Sequence, residues 1–302
     1  MRVAYHPDYA VELPANHPFP MRKFPALAEI LRRERLVRDG EWIEPEEAEW
    51  ETLALAHTER YLEALRFGRL SPAEERRLGL PWSPALIRRS RRASRGTIEA
   101  CLAALEDGLG ANLGGGTHHA LPDGGEGFCV INDVAVAVRW LRREGYLGRV
   151  LVCDLDVHHG NGNAVAFAED PETYTFSMHG AKNFPVRKPP SDRDVPLADG
   201  TGDSEYLETL GRELPAAIAA ARPDLVIYLG GVDVLAGDRF GRLAMTLDGL
   251  RGREELVLET VARAGLPMAL TLSGGYAATP ERTADLHAEV HRAAARRAGR
   301  IS

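Results

Sequence analysis

Cysteine is scarce in this chain, with 3 in 302 residues. Cys101, Cys129 and Cys153 form no paired motif and each falls in an apolar context, which excludes a disulfide scaffold and a cysteine-built zinc module and leaves core thiols. Long apolar runs are missing too. None approaches the roughly 18 residues a membrane helix needs, and the N-terminus opens as a strand rather than a secretory signal, so a cytoplasmic protein without membrane contact is expected. Positive charge is in deficit: 37 Lys+Arg against 44 Asp+Glu give a net charge of -7. That argues against a nucleic-acid partner, and the run Arg88-Arg89-Ser90-Arg91-Arg92 is read as a solvated helix face. No Gly/Ser linker or low-complexity stretch divides the chain, so residues 1–302 are expected to form a single domain.

What is present is an alternation of apolar strands and helices. Strand-like runs cover Arg2 to His6, Asn112 to Gly116, Arg149 to Asp154, Thr173 to Met178, Leu225 to Gly230 and Met268 to Leu272. Helical patterns cover Arg88 to Glu106, Val134 to Glu144, Ser204 to Ala221 and Arg251 to Ala264. This order predicts an α/β fold with an open parallel sheet and helices on both faces. The proline-rich stretch Pro14 to Met21 resists regular structure and reads as a rim loop, and the tail Arg292 to Arg300 as a helix end or frayed terminus. His17 and His57 each stand alone and suit surface or supporting roles rather than metal ligation.

The run Leu151-Val152-Cys153-Asp154-Leu155-Asp156-Val157-His158-His159-Gly160-Asn161-Gly162 stops abruptly in carboxylates and imidazoles. Extended backbone puts Asp154, Asp156 and His158 on one side, so Asp156 and His158 can give an oxygen and a nitrogen to a divalent cation. A capping turn would account for one Asp, but not for two Asp and two His beside a buried strand. Three further apolar runs end alike, in Gly114-Gly115-Gly116-Thr117-His118-His119, in Gly230-Gly231-Val232-Asp233 and in Ser273-Gly274-Gly275-Tyr276. Ligands bind outside the carboxyl ends of parallel strands, so the four termini are expected to meet in one crevice.

In order and spacing these motifs, with Gly127-Phe128-Cys129-Val130-Ile131-Asn132-Asp133 between the first two, resemble the histone deacetylase family over about Asn112 to Thr283. Leu235 to Gly241 and Thr271 to Ala277 look closest to its class IV branch, with many bacterial relatives. The resemblance implies the arginase and deacetylase fold, with an eight-stranded parallel sheet. It makes Asp156, His158 and Asp233 the ligands of a catalytic zinc with one side open. Their hard, oxygen-rich donor set also suits Fe(II), Mn or Co. It gives His119 the main base and acid role beside His118, which Asp154 orients, and has Tyr276 donate to the oxyanion. Asn161 stands where the best-known members carry Asp, as it does in the class II and class IV branches. An amide accepts from the imidazole but brings no charge, so His119 is expected to titrate lower than in Asp-containing relatives.

The same resemblance makes Gly127, Phe128, Gly274 and Gly275 part of the substrate tunnel, where an aromatic wall would bury the methylenes of an acyl-lysine, with Phe184 as the opposite wall. Ser177 and Met178, with Asp154, Asp156 and His158, resemble a potassium site. The implied reaction is hydrolysis of an N-acyl amine, either acyl-lysine in a protein or peptide or an acylated polyamine or other small amine. Two other readings are a two-manganese ureohydrolase, which wants a further carboxylate where this chain has His159 and Asn161, and a non-catalytic acyl-lysine reader, against which the intact site residues speak. Acyl-chain length and oligomeric state are not legible in the sequence.

Overall fold

The computed structural model describes residues 1–301. Eight strands form one sheet: β1 Arg2–Ala4, β2 Trp42–Ile43, β3 Leu109–Asn112, β4 Val150–Asp154, β5 Thr173–Gly180, β6 Arg193–Leu197, β7 Leu225–Leu229 and β8 Met268–Thr271. Their order is β2-β1-β3-β8-β7-β4-β5-β6, and every pairing is parallel. Every residue of β4, β7 and β8 is buried, as strands covered on both faces must be. The helix Pro84–Asp107 packs on β1, β3 and β8, while Asp203–Ala221 packs on β4 and β5. No helix among the described residues is long and apolar enough to cross a membrane.

The expected α/β architecture with an open parallel sheet of eight strands is therefore present, with three local corrections. The run Asn112 to Gly116 is not a strand, because β3 ends at Asn112. There the Asn112 side chain accepts from Gly114 N at 3.0 Å, and Gly116 N turns to Asp133 Oδ2 at 3.0 Å, so these amides leave the ladder. The edge strands β2 and β6 lie outside the apolar pattern: β2 has two residues, and β6 reads RDVPL and is largely uncovered, as edges that discourage pairing tend to be.

The third correction is Arg88 to Arg92, which is no solvated face. Arg89 is buried and donates to Tyr9 O at 2.8 Å, Arg91 caps Ala48 O at 2.8 Å, and Arg92 reaches Pro45 O at 2.8 Å. These guanidiniums tie the long helix to the N-terminal loops through carbonyls that would otherwise lack donors. Residues Pro14 to Met21 form an irregular rim segment as expected, and the tail is helical from Pro280 to Arg297.

Candidate active site

β3, β8, β7 and β4 are consecutive in the sheet, so the four motifs that follow them converge at one edge. The β4 motif folds back on itself. Asp154 Oδ1 accepts from Asp156 N at 3.1 Å, and Asp156 Oδ1 accepts from His158 N at 2.9 Å, so each acid fixes the backbone that carries the next functional group. From β7, Asp233 reaches across to accept from Val157 N at 3.0 Å. The β8 loop closes the circle, with Gly274 N donating to Asp156 Oδ2 at 2.6 Å. Glycine is required there and at Gly231. A Cβ on Gly274 would lie 2.0 Å from Asp233 Oδ2, and one on Gly231 would lie 2.4 Å from Asp156 Oδ2.

The two adjacent histidines are carried by the loop after β3, which is nailed to the start of helix Asp133–Arg143. Buried Asp133 accepts from Thr117 N at 2.7 Å and from the Thr97 and Thr117 hydroxyls. Each histidine then meets its own partner. His118 Nδ1 lies 2.7 Å from Asp154 Oδ2, and His119 Nδ1 lies 2.6 Å from Asn161 Oδ1.

Their acidities diverge as charge dictates. Burial alone would lower His118, but the Asp154 and Asp156 carboxylates outweigh it and raise it to about 9. His119 is pushed well below the usual imidazole range by burial and by the neighbouring His118 and His158, and its hydrogen bond to the uncharged Asn161 does not make up the loss.

Asp156, His158 and Asp233 bring one ligand-type atom each within 4.8 Å of one another, all buried. His158 Nδ1 sits 3.0 Å from Asp156 Oδ1 and 3.2 Å from Asp233 Oδ2. One ring nitrogen cannot serve both carboxylates, and Asp233 Oδ2 is left without a hydrogen bond. Burial and the adjacent Asp156 charge push the Asp233 carboxyl up to about 6. Two crowded carboxylates, an orphaned oxygen and an imidazole nitrogen facing one point fit a divalent cation and little else.

The family model for the histone deacetylase domain matches residues 17–293. The chain belongs to the histone deacetylase family. As a member it is a deacetylase-type hydrolase, of a family that is generally metal-dependent. It is 44% identical over 292 residues to an uncharacterized protein of Picosynechococcus sp. (strain ATCC 27264 / PCC 7002 / PR-6), covering 97% of both chains. Histone deacetylase 2 of Arabidopsis thaliana is 30% identical over 269 residues, 86% of this chain and 70% of that one. Acetoin utilization protein AcuC of Staphylococcus aureus (strain MSSA476) is 30% identical over 257 residues, 78% of this chain and 66% of its own. The crystal structure of the HDA15 HD domain shares the fold, with a TM-score of 0.78 at 23% identity over 96% of this chain and 86% of that one.

The deacetylase presents its site at the bottom of a cleft of about 600 Å³ lined by Phe128, Phe184, Phe240 and Tyr276. Phe128 takes φ +68° at a tight turn, and the Phe184 ring meets His119 edge-on with centroids 5.0 Å apart, so both line the cleft. Gly127 lies against the His119 ring, where a Cβ would come within 2.6 Å of Cδ2. Tyr276 is held from behind: its N–H donates to Asp238 Oδ2 at 2.7 Å, and Phe240 stacks edge-on at 4.8 Å. Burial and the Asp233 and Asp156 charges raise its hydroxyl well above the usual phenol value, so it stays a donor.

The positions expected to hold potassium are adjacent, since Asp154 pairs with Ser177 across β4 and β5, and Met178 is buried beside them. His159 is turned away from the metal cluster toward Asp194, at 3.1 Å, which removes it from any second-metal role beside Asp156. His57 is buried and accepts from Asn132 N at 3.0 Å, while His17 bonds Gly79 O at 2.8 Å; both are supports, as expected. All three cysteines are buried free thiols, and burial lifts Cys129 to about 12.

Four contributors are not marked as site residues by the sequence. Lys23 and Arg89 line the small inner cavity beside Gly114 to His119, and burial lowers Lys23 to about 8. Asp238 anchors Tyr276, and Glu126 accepts from Asn161 Nδ2 at 2.9 Å. No motif marks the two cations, because tertiary packing alone brings them inward.

Proposed function

We propose that this deacetylase hydrolyses an N-acyl amine, with acyl-lysine as the substrate class, Asp156, His158 and Asp233 holding zinc, and His119 and Tyr276 acting on the scissile amide. The observation that carries this reading is the unlike pairing of two adjacent histidines at the end of one aromatic-walled cleft, one with a carboxylate and one with an amide. The Asp154 carboxylate favours a proton on His118, while burial beside an uncharged Asn161 disfavours the charged form of His119. Zinc, or Fe(II) at the same donors, would polarise the carbonyl and acidify a water.

The chain's own groups do the rest. Neutral His119 takes the proton from the attacking water and returns it to the departing amine. His118, held by Asp154, stands beside His119 as the second imidazole of the site. Tyr276 donates to the oxygen that gains charge. Phe128 and Phe184 cover the methylenes of the lysine stem and keep bulk water off the amide. A potassium ion between Asp154, Ser177 and Met178 would balance the carboxylates behind the site.

The rim favours acyl-lysine over an acylated polyamine. Arg76, Arg77, Lys182 and Arg242 line the cleft against the one carboxylate of Glu126, and a polycationic amine would meet like charge on entry. Rates on acetyl-, butyryl- and myristoyl-lysine peptides beside acetylated polyamines test this. The lysine peptides should have the higher kcat/KM, and a clear preference for acetylpolyamine would reject the substrate class while leaving the chemistry standing. A hydroxamate should inhibit all of these reactions by chelation, and complete insensitivity to it would count against the metal site itself.

A further inference from the structure

His119 works as a base only if its bare nitrogen is Nε2, and nothing in an asparagine partner ensures that. A carboxylate at position 161 accepts and never donates, so it would force a proton onto His119 Nδ1. An amide has both functions, and turned end for end it would donate to Nδ1 and favour the opposite tautomer. The structure contains a device that removes this ambiguity. Asn161 Nδ2 donates to Glu126 Oε2 at 2.9 Å while Asn161 Oδ1 faces His119 Nδ1 at 2.6 Å. A carboxylate offers only acceptors, so the reversed amide would set oxygen against oxygen at Glu126 and lose that hydrogen bond.

We infer that Glu126 is a positioning residue that locks the Asn161 amide and thereby sets the His119 tautomer. Glu126, which only accepts, leaves the Asn161 amide one allowed orientation, and that orientation puts an N–H on His119 Nδ1 and a lone pair on Nε2. This inference rests on the reading of His119 as the proton acceptor.

The backbone makes the device rigid. Glu126 and Cys129 exchange both ladder hydrogen bonds, with Glu126 N to Cys129 O at 3.1 Å and Cys129 N to Glu126 O at 2.8 Å. Gly127 and Phe128 between them take φ +55° and +68°, the positive pair of a two-residue reverse turn. That one turn therefore performs three tasks. It aims Glu126 at Asn161, lays Gly127 on the His119 ring and raises Phe128 as the cleft wall. Asn161 is buried, so water is a poor substitute for the lost acceptor.

The test combines a spectroscopic readout with a double-mutant cycle. In zinc-loaded protein labelled with ¹⁵N-histidine, His119, assigned by its loss in His119→Gln, should show a protonated Nδ1 and a bare Nε2. Glu126→Ala should move that signal toward a tautomer mixture and lower kcat about tenfold, the scale seen when an outer hydrogen-bond partner is removed, with KM and metal content little changed. In an Asn161→Asp background the same Glu126→Ala change should not lower kcat, since the introduced carboxylate needs no lock, and relief of two touching carboxylates should raise it.

Glu126→Gln, of the same size, serves if the alanine variant folds poorly; its amide allows both orientations and should also give a mixture. An unchanged tautomer signal in the Glu126 variants would overturn the inference, as would an equal loss of kcat in both backgrounds, which marks a purely structural turn. Because the tautomer is read without turnover, its failure leaves the deacylase reading standing, whereas absence of turnover in the wild type would remove that reading alone.

Discussion

Replacing Tyr276 by phenylalanine removes one oxygen and, from the structure, almost nothing else. The ring is fixed by contacts a phenylalanine keeps: Phe240 at 4.8 Å, Phe128 at 6.0 Å and Phe19 at 6.3 Å between centroids. The backbone is pinned through Tyr276 N to Asp238 and through Arg239 N to Tyr276 O at 3.2 Å. The hydroxyl itself forms no hydrogen bond with the described residues, so stability should change by less than about 0.5 kcal/mol, the scale of a neutral surface substitution. The transition state loses a preorganised donor, worth about 2.7 to 4 kcal/mol, so kcat should fall about 10² to 10³-fold at nearly constant KM. Steady-state kinetics on an acetyl-lysine peptide, with a melting curve and a metal analysis of the same preparation, measure all three quantities. If kcat stays within threefold of wild type while fold and metal are intact, the hydroxyl does not face the carbonyl and its role falls to other groups.

Two further outcomes follow from the same geometry. Asp156→Ala or Asp233→Ala should lose bound metal and turnover together, and a folded variant that keeps one metal per chain and normal rates, by elemental analysis and kinetics, would refute the ligand set. Asn161→Asp should raise the His119 pKa, because the new carboxylate, with Glu126 behind it, stabilises the imidazolium. Catalysis needs neutral imidazole, so the acidic limb of the kcat/KM profile should move to higher pH. A limb that coincides with wild type in a folded, metal-loaded variant would detach Asn161 from His119.

The parts of the site that are legible in the sequence are those where chemistry dictates residue type beside an apolar strand. Asp156, His158 and Asp233 contradict their buried surroundings in a way that suits a cation site, and parallel topology brings their loops to one edge. The unread parts obey no local rule. Lys23 and Arg89 look like ordinary helix-surface cations until packing turns them inward, and the Arg88 to Arg92 run passes for a solvated face for that reason. Glu126 reaches Asn161 across 35 residues through a turn whose Gly-Phe pair does not signal positive φ at Phe128. Strand β6 carries the charges and proline that protect an edge, so its composition conceals its conformation. The end of β3 is hidden in the opposite way, because the glycines after Asn112 look like a continuing apolar run.

Gly231 and Gly274 bring no side chain to the site, yet the space a Cβ would fill there is the room in which Asp156 and Asp233 stand. A saturation scan scored by activity alone would therefore draw a false portrait of this deacetylase, ranking two backbone positions with the proposed metal ligands. The distinction would emerge only from a second axis: at the glycines even alanine should fail, whereas at the ligands a residue that keeps a donor atom, such as His in place of Asp233, has chemistry left to offer. For anyone redesigning the centre for another cation, the ligands are the adjustable components and the glycines the mould.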